Sequence, residues 1–134
     1  MKNVKVCCII DDDPIFIYGT KRIIKEVDFA KKVIVYNNGQ EAVDGLKEII
    51  KEQGLLPDVI FLDLNMPIMN GWEFLDEYKN CRHDKSKKTI IYIISSSVDP
   101  RDLERVKNYK QVDDYILKPI TPGDLAKILR ETKV

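Results

Sequence analysis

Val59-Ile60-Phe61-Leu62-Asp63-Leu64-Asn65-Met66-Pro67, with Gly71 close behind, is the stretch that decides how this chain folds. Four apolar residues run directly into the carboxylate of Asp63, and a turn-forming segment follows at once. A short, continuous apolar run is typical of a fully buried strand. Asp63 therefore lies where a buried strand ends, and in open α/β sheets that edge carries the ligand site.

Strands and helices alternate along the rest of the chain. The predicted strands cover residues 4–10, 33–36, 58–62, 89–94 and 114–117. The predicted helices begin at Asp13-Pro14, Asn38, Gly71, Asp99-Pro100 and Thr121-Pro122, and the last four end near Gly54, Asn80, Asn108 and Thr132. This alternation predicts a doubly wound (βα)5, flavodoxin-like α/β fold with helices on both faces of a parallel sheet. The common strand order at this size is 2-1-3-4-5.

Length and charge limit the classes of protein that the chain represents. Its 134 residues predict a single domain over 1–134, and the start at Met1 without a linker tail favours a stand-alone protein. Basic and acidic residues both number 22, so the net charge is zero. That balance argues against nucleic-acid or membrane binding driven by a whole-domain field. No membrane-length apolar run or signal peptide is present, so we expect a cytoplasmic protein.

The three cysteines predict neither a disulfide framework nor a metal site. Cys7 and Cys8 lie within the first apolar strand, where a free cysteine behaves as a small hydrophobic residue. Cys81 and the single histidine, His83, belong to a polar segment. A zinc site would need more soft ligands than these, so we expect Cys7 and Cys8 to be buried, inert thiols.

Five polar side chains follow four of the predicted strands. They are Asp11 and Asp12 after the first strand, Asp63 after the third, Ser95 after the fourth and Lys118 after the fifth. Parallel strands end at one edge, so these groups face a shared crevice. Three clustered carboxylates at neutral pH must hold protons or a cation, and oxygen ligands favour a hard ion such as Mg²⁺. A carboxylate nucleophile beside such an ion can accept a phosphoryl group.

These residues resemble the receiver domains of two-component response regulators, the CheY-like family. The matching segments are Ile9-Ile10-Asp11-Asp12-Asp13-Pro14, Leu62-Asp63-Leu64-Asn65-Met66-Pro67 with Met69 and Gly71, Ile94-Ser95-Ser96, and Asp114-Tyr115-Ile116-Leu117-Lys118-Pro119. They span nearly the whole chain with family-like spacing. Ser95 stands where many members have threonine, which keeps the hydroxyl.

The resemblance implies a phosphorelay protein that catalyses only its own phosphorylation and dephosphorylation. Asp63 resembles the phosphoacceptor, which takes a phosphoryl group from a histidine of a sensor kinase or a histidine phosphotransfer protein. Asp12, Asp63 and the backbone carbonyl of Asn65 would ligate Mg²⁺, with Mn²⁺ as a substitute, and Asp11 would act through a water. Lys118 and Ser95 would contact the phosphoryl oxygens.

The family also implies a conformational switch. Tyr115 resembles the aromatic switch residue that turns inward when Ser95 moves toward the phosphate. Asn65 and Ser97 occupy positions that tune the lifetime of the acyl phosphate, and the Lys118-Pro119 bond is expected to be cis. The surface expected to bind a downstream protein is 99–130, because Ser95 and Tyr115 flank it.

Three alternatives share parts of this pattern. An aspartyl-nucleophile phosphohydrolase would, by resemblance, need a second acid two residues after the nucleophile, where this chain has Asn65. A flavodoxin-like cofactor binder needs phosphate-binding backbone donors after the first strand, and the acidic run 11–13 would repel an anion instead. A non-catalytic interaction module would not need the acidic set. The basic residues Lys79, Arg82, Lys85, Lys87 and Lys88 are expected to form a solvated loop rather than a nucleic-acid site.

Overall fold

The computed structural model describes residues 3–81, 89–97 and 99–131. The strands are β1 (Val4–Ile10), β2 (Ala30–Tyr36), β3 (Val59–Asp63), β4 (Ile90–Ser95) and β5 (Val112–Leu117). The helices are α1 (Pro14–Glu26), α2 (Gly39–Lys51), α3 (Gly71–Cys81), α4 (Pro100–Val106) and α5 (Pro122–Glu131). The predictions for His83, for the basic residues Arg82, Lys85, Lys87 and Lys88, and for a helix end at Thr132 lie outside the described residues.

The five strands form one parallel sheet in the order β2-β1-β3-β4-β5, as the alternation predicted. β1 and β3 pair through Ile10 and Leu62, and β4 pairs with β5 through Ser95 and Leu117. The carboxyl ends of these strands therefore lie at one edge of the sheet, which brings the predicted site residues toward each other. Among the described helices, none is long and apolar enough to cross a membrane.

The largest differences from the prediction concern the edge strands, α2 and α4. α2 ends at Lys51, three residues before the predicted end near Gly54, and turns follow in which Gly54 N–H donates to the Ile49 carbonyl. β2 begins at Ala30, three residues before the predicted start, because Lys31 and Lys32 are exposed on an edge strand and break the apolar pattern. β5 begins at Val112, two residues early, for the same reason: Asp113 and its neighbour are exposed. α4 ends at Val106 instead of near Asn108, and tighter turns follow, with Tyr109 N–H donating to the Val106 carbonyl.

The sheet is buried on both faces, and each face carries its own apolar cluster. One cluster packs β1, β3 and β4 against α2 and α3, and the other packs the same strands against α1 and α5. All five residues of β3 are buried, which confirms that the run before Asp63 is a core strand. Cys7 and Cys8 are fully buried, as predicted, and burial raises the pKa of both thiols, which disfavours the reactive thiolate.

Two helix caps predicted from the sequence are present. The Asp13 side chain accepts a hydrogen bond from Ile15 N–H at the start of α1 (3.0 Å), and Pro14 occupies the first turn. Asn38 accepts from Glu41 N–H at the start of α2 (2.9 Å). Each cap satisfies a helix N–H that would otherwise lack a partner, and the first fixes the backbone directly after Asp11 and Asp12.

Candidate functional site

The carboxylates of Asp11, Asp12 and Asp63 lie together at the carboxyl edge of the sheet. One oxygen from each lies within 4.8 Å of the other two. β1 and β3 are neighbours, so the residues that follow Ile10 and Leu62 are placed side by side. The sequence predicted this cluster, and the structure brings it together.

Asp11 is the most deeply buried member, with 1% of its surface exposed. One carboxylate oxygen accepts a hydrogen bond from Asp13 N–H (2.9 Å), and the other lies 2.9 Å from Lys118 Nζ. This second oxygen, Oδ2, is paired with the Lys118 ammonium and accepts no further hydrogen bond from the described residues. A buried carboxylate with spare acceptor capacity is suited to a cation or a cation-bound water.

Asp63 is poorly stabilised as an anion. Burial, followed by the neighbouring charge of Asp11, raises the pKa of its carboxyl from 3.8 to about 6, with a smaller increase from Asp12. Lys118 and the Asn65 N–H, which lies 3.4 Å from Oδ1, act in the opposite direction. Because two carboxylates crowd a third, the site gains free energy when a proton or a cation enters.

The donor set fits Mg²⁺. The cluster offers only oxygen donors, and Asp12 is exposed toward solvent. Mg²⁺ binds one or two carboxylates and retains several waters, which requires an open side to the site. The sulfur and imidazole ligands that select zinc or copper are absent from this described cluster.

The side chains of Ser95 and Tyr115 donate hydrogen bonds to the same backbone carbonyl, a contact that the sequence did not predict. Ser95 ends β4 and is buried, and its hydroxyl donates to the Ser97 carbonyl (2.7 Å). The Tyr115 hydroxyl donates to the same carbonyl (3.2 Å). The Ser95 hydroxyl is therefore engaged within its own loop. A sequence pattern cannot identify a backbone acceptor of this kind, because it depends on loop conformation.

Lys118 is held from both its backbone and its side chain. Its N–H donates to the Ser95 carbonyl (2.7 Å), and the Lys118-Pro119 peptide bond is cis, as predicted. The ammonium lies 2.9 Å from Asp11 Oδ2 and 4.5 Å from the centroid of the Phe16 ring. The sequence placed Phe16 in the apolar pattern of α1 and gave no indication of this contact.

The loop from β3 to α3 is fixed by close backbone contacts. Gly71 N–H donates to the Leu64 carbonyl, and a Cβ atom at Gly71 would lie 2.6 Å from the Asp63 carbonyl oxygen. A glycine is therefore required immediately beside the phosphoacceptor candidate. On the other side of the loop, Gly39 N–H donates to the Met69 carbonyl. The loop that carries Asn65 is thus anchored at both ends.

Comparison with known proteins agrees with this geometry. A family model of the response regulator receiver domain matches residues 7–130. The nitrate/nitrite response regulator NarL of Escherichia coli is 33% identical over 92% of this chain, and the chain spans about half (52%) of NarL. The chemotaxis protein CheY-3 of Vibrio cholerae is 30% identical over 96% of this chain and 90% of its own length.

A solved structure shows the same arrangement of the backbone. The crystal structure of a two-component response regulator from Cytophaga hutchinsonii aligns with a TM-score of 0.85 and 30% identity, covering 97% of each chain. The strand order, the acidic cluster and the match over 7–130 agree with one another. The chain therefore belongs to the response regulator receiver domain family.

Proposed function

We propose that Asp63 accepts a phosphoryl group from a phosphorylated histidine of a sensor kinase or a histidine phosphotransfer protein. An Asp63 carboxylate oxygen forms the new P–O bond as the donor P–N bond breaks, and the electron pair remains on the imidazole nitrogen, which takes up a proton. Water later attacks phosphorus, releasing inorganic phosphate and restoring the carboxylate. The observation that carries this proposal is the position of Asp63 beside two further carboxylates, one of which, Asp11, pairs with the Lys118 ammonium.

Asp12, Asp63 and the backbone carbonyl of Asn65 would hold Mg²⁺ or Mn²⁺, with Asp11 acting through a water. The bound ion would neutralise charge on the transferring phosphoryl group. The raised pKa of Asp63 supports this assignment, because it shows that the carboxylate lacks sufficient positive charge in its surroundings. Asp11 already contacts Lys118, so we assign it to a water bound to the ion rather than to the ion itself.

Lys118 and Ser95 would contact the phosphoryl oxygens, each at a different position. Lys118 would supply a positive charge from beside Asp11, and Ser95 would supply a hydroxyl donor once it rotates away from the Ser97 carbonyl. Tyr115 shares that carbonyl, so the rotation changes the hydrogen bonding of Tyr115 as well. This link supports a switch that reaches surface 99–130, where a downstream protein would bind.

Asn65 favours a timed switch over an enzyme with external turnover. It follows Asp63 by two residues and carries no acid or base that could protonate a leaving group. The acyl phosphate would therefore hydrolyse slowly on the protein itself. We propose that the single receiver domain within residues 1–134 carries out both half-reactions without acting on other substrates.

Incubation with acetyl phosphate and Mg²⁺ tests the assignment of Asp63. Intact-protein mass spectrometry should show the mass of one added phosphoryl group in the wild type, and none when Mg²⁺ is chelated. Asp63→Asn should show no addition. The matched control Asp76→Asn, an exposed carboxylate on α3, should label as the wild type does. Labelling that persists in Asp63→Asn, or rapid hydrolysis of unrelated phosphate esters, would contradict the proposal.

A further inference from the structure

Phe16 lies against the Lys118 ammonium, although the proposed chemistry gives the ring no role. Lys118 Nζ is 4.5 Å from the centroid of its ring, within the distance of about 6 Å at which a cation is attracted to the ring face. The same ammonium is 2.9 Å from Asp11 Oδ2. The cation therefore lies between a carboxylate and an aromatic face.

The surroundings make this contact stronger than one on an open surface. The Lys118 side chain is 17% exposed, Asp11 is almost fully buried, and Phe16 is half-buried against the cluster formed by α1, α5 and the sheet. Cation–π attraction increases when water is excluded from the pair. A lysine ammonium is carried on a flexible four-carbon chain. A ring that confines the ammonium reduces the number of side-chain conformations in which it lies away from the site.

The position of the ring is linked to the position of Asp11. Asp13 N–H donates to Asp11 Oδ1, and the Asp13 side chain accepts from Ile15 N–H at the start of α1. Phe16 is the next residue of that first turn. One residue, Asp13, therefore fixes both the carboxylate and the helical turn that hold the Lys118 ammonium.

We infer that Phe16 is a positioning residue that keeps the Lys118 ammonium in the cleft as it turns from Asp11 toward the phosphoryl group on Asp63. The inference rests on the proposed function. The ring is neutral, so it attracts the ammonium without drawing it away from the phosphoryl oxygens as a second carboxylate would. Weakening the ring contact lowers the fraction of molecules with Lys118 in place, and with it the rate of phosphorylation, by about 5-fold.

Fluorination of the ring separates this role from packing. Phenylalanines with one, three and five ring fluorines, incorporated at position 16, keep nearly the same volume while the electron density of the ring face falls. With acetyl phosphate and Mg²⁺, the rate of phosphoryl incorporation should fall stepwise, to about 5-fold below wild type. The small donor avoids any effect on partner docking. Phe16→Tyr should retain the rate, and fluorination of Phe29, a buried ring of the same cluster, should leave it unchanged.

The contact can also be observed without phosphorylation. NMR should show the Lys118 ε-methylene protons shifted upfield by the Phe16 ring current, with the signal assigned by its loss in Lys118→Arg. The shift should disappear in Phe16→Leu.

Three results would overturn the inference. They are an equal rate across the fluorinated series, the same loss of rate when Phe29 is fluorinated, and unshifted Lys118 protons in the wild type. A wild-type protein that takes up no phosphoryl group from acetyl phosphate would instead refute the proposed function itself, whatever the state of the Phe16 contact.

Discussion

Removing the charge of Asp63 should stabilise the protein in the absence of metal. The pKa of this carboxyl rises from 3.8 to about 6 on folding, chiefly through burial and the charge of Asp11. At about 1.4 kcal/mol for each pKa unit, the folded state loses about 3 kcal/mol once Asp63 is fully ionised. Water reaches the open side of the cleft and screens part of this effect. We therefore expect Asp63→Asn to raise the free energy of unfolding by about 1–2 kcal/mol at pH 7.5.

The stabilisation by Asp63→Asn should depend on pH. Because the folded state holds the Asp63 proton more tightly than the unfolded state, the destabilisation is absent below pH 4, grows between about pH 4 and 6, and is complete above that range. Urea denaturation with a chelator at pH 7.5 and pH 4 should show a stabilisation by Asp63→Asn that disappears at the lower pH. The exposed control Asp76→Asn should be neutral at both.

Two observations would refute this reasoning. One is a variant Asp63→Asn that is no more stable than the wild type at pH 7.5, which would mean that Asp63 is adequately solvated or paired. The other is a stabilisation of equal size at pH 7.5 and pH 4, which would assign the effect to packing of the amide. Addition of Mg²⁺ should reverse the order of stability, because the ion stabilises the folded state in which the carboxylate cluster is assembled.

Three further predictions follow from the same contacts. Mg²⁺ affinity, measured by calorimetry, should fall up to tenfold for each pH unit below about 6, because a proton competes for Asp63; an affinity independent of pH from 7 to 5 would argue against Asp63 as a ligand. Lys118→Ala should lower the free energy of unfolding by about 2–3 kcal/mol in urea, because it leaves the buried Asp11 carboxylate without its ion pair; an unchanged midpoint would contradict this. Gly71→Ala should cost about 2–3 kcal/mol, because its Cβ would lie 2.6 Å from the Asp63 carbonyl, whereas the control Gly19→Ala has open space and should be neutral or stabilising.

The central part of the fold was predictable from sequence because its strands are buried on both faces. β3 and β4 read as continuous apolar runs, and their predicted bounds differ from the structure by one residue at each end. The edge strands were less accurate. Lys31 and Lys32 begin β2 with exposed charges, since an edge strand has one side without a neighbouring strand, and the apolar pattern that marks a core strand is lost there.

The site was predictable only to the extent that it depends on strand ends. Asp11, Asp12, Asp63 and Lys118 follow three strands, so the sheet alone predicted their meeting. The contact of Phe16 with Lys118 requires the angle at which α1 leaves the sheet, and the shared acceptor at Ser97 requires the conformation of the loop after β4. Neither quantity is encoded in residue spacing.

The net charge of the site predicts the order in which a cation and a phosphoryl donor would bind. Three carboxylates and one ammonium leave a net charge of about −2 at a pH above the pKa of Asp63. A phosphoryl donor carries further negative charge, so its approach to the metal-free site is opposed by the same repulsion that raises the pKa of Asp63. Lys118 cannot remove that repulsion, since its ammonium is already paired with Asp11. We therefore expect a divalent cation to bind before the donor. With the charge of Asp11 offset, Lys118 would be free to turn toward the phosphoryl group while remaining against Phe16.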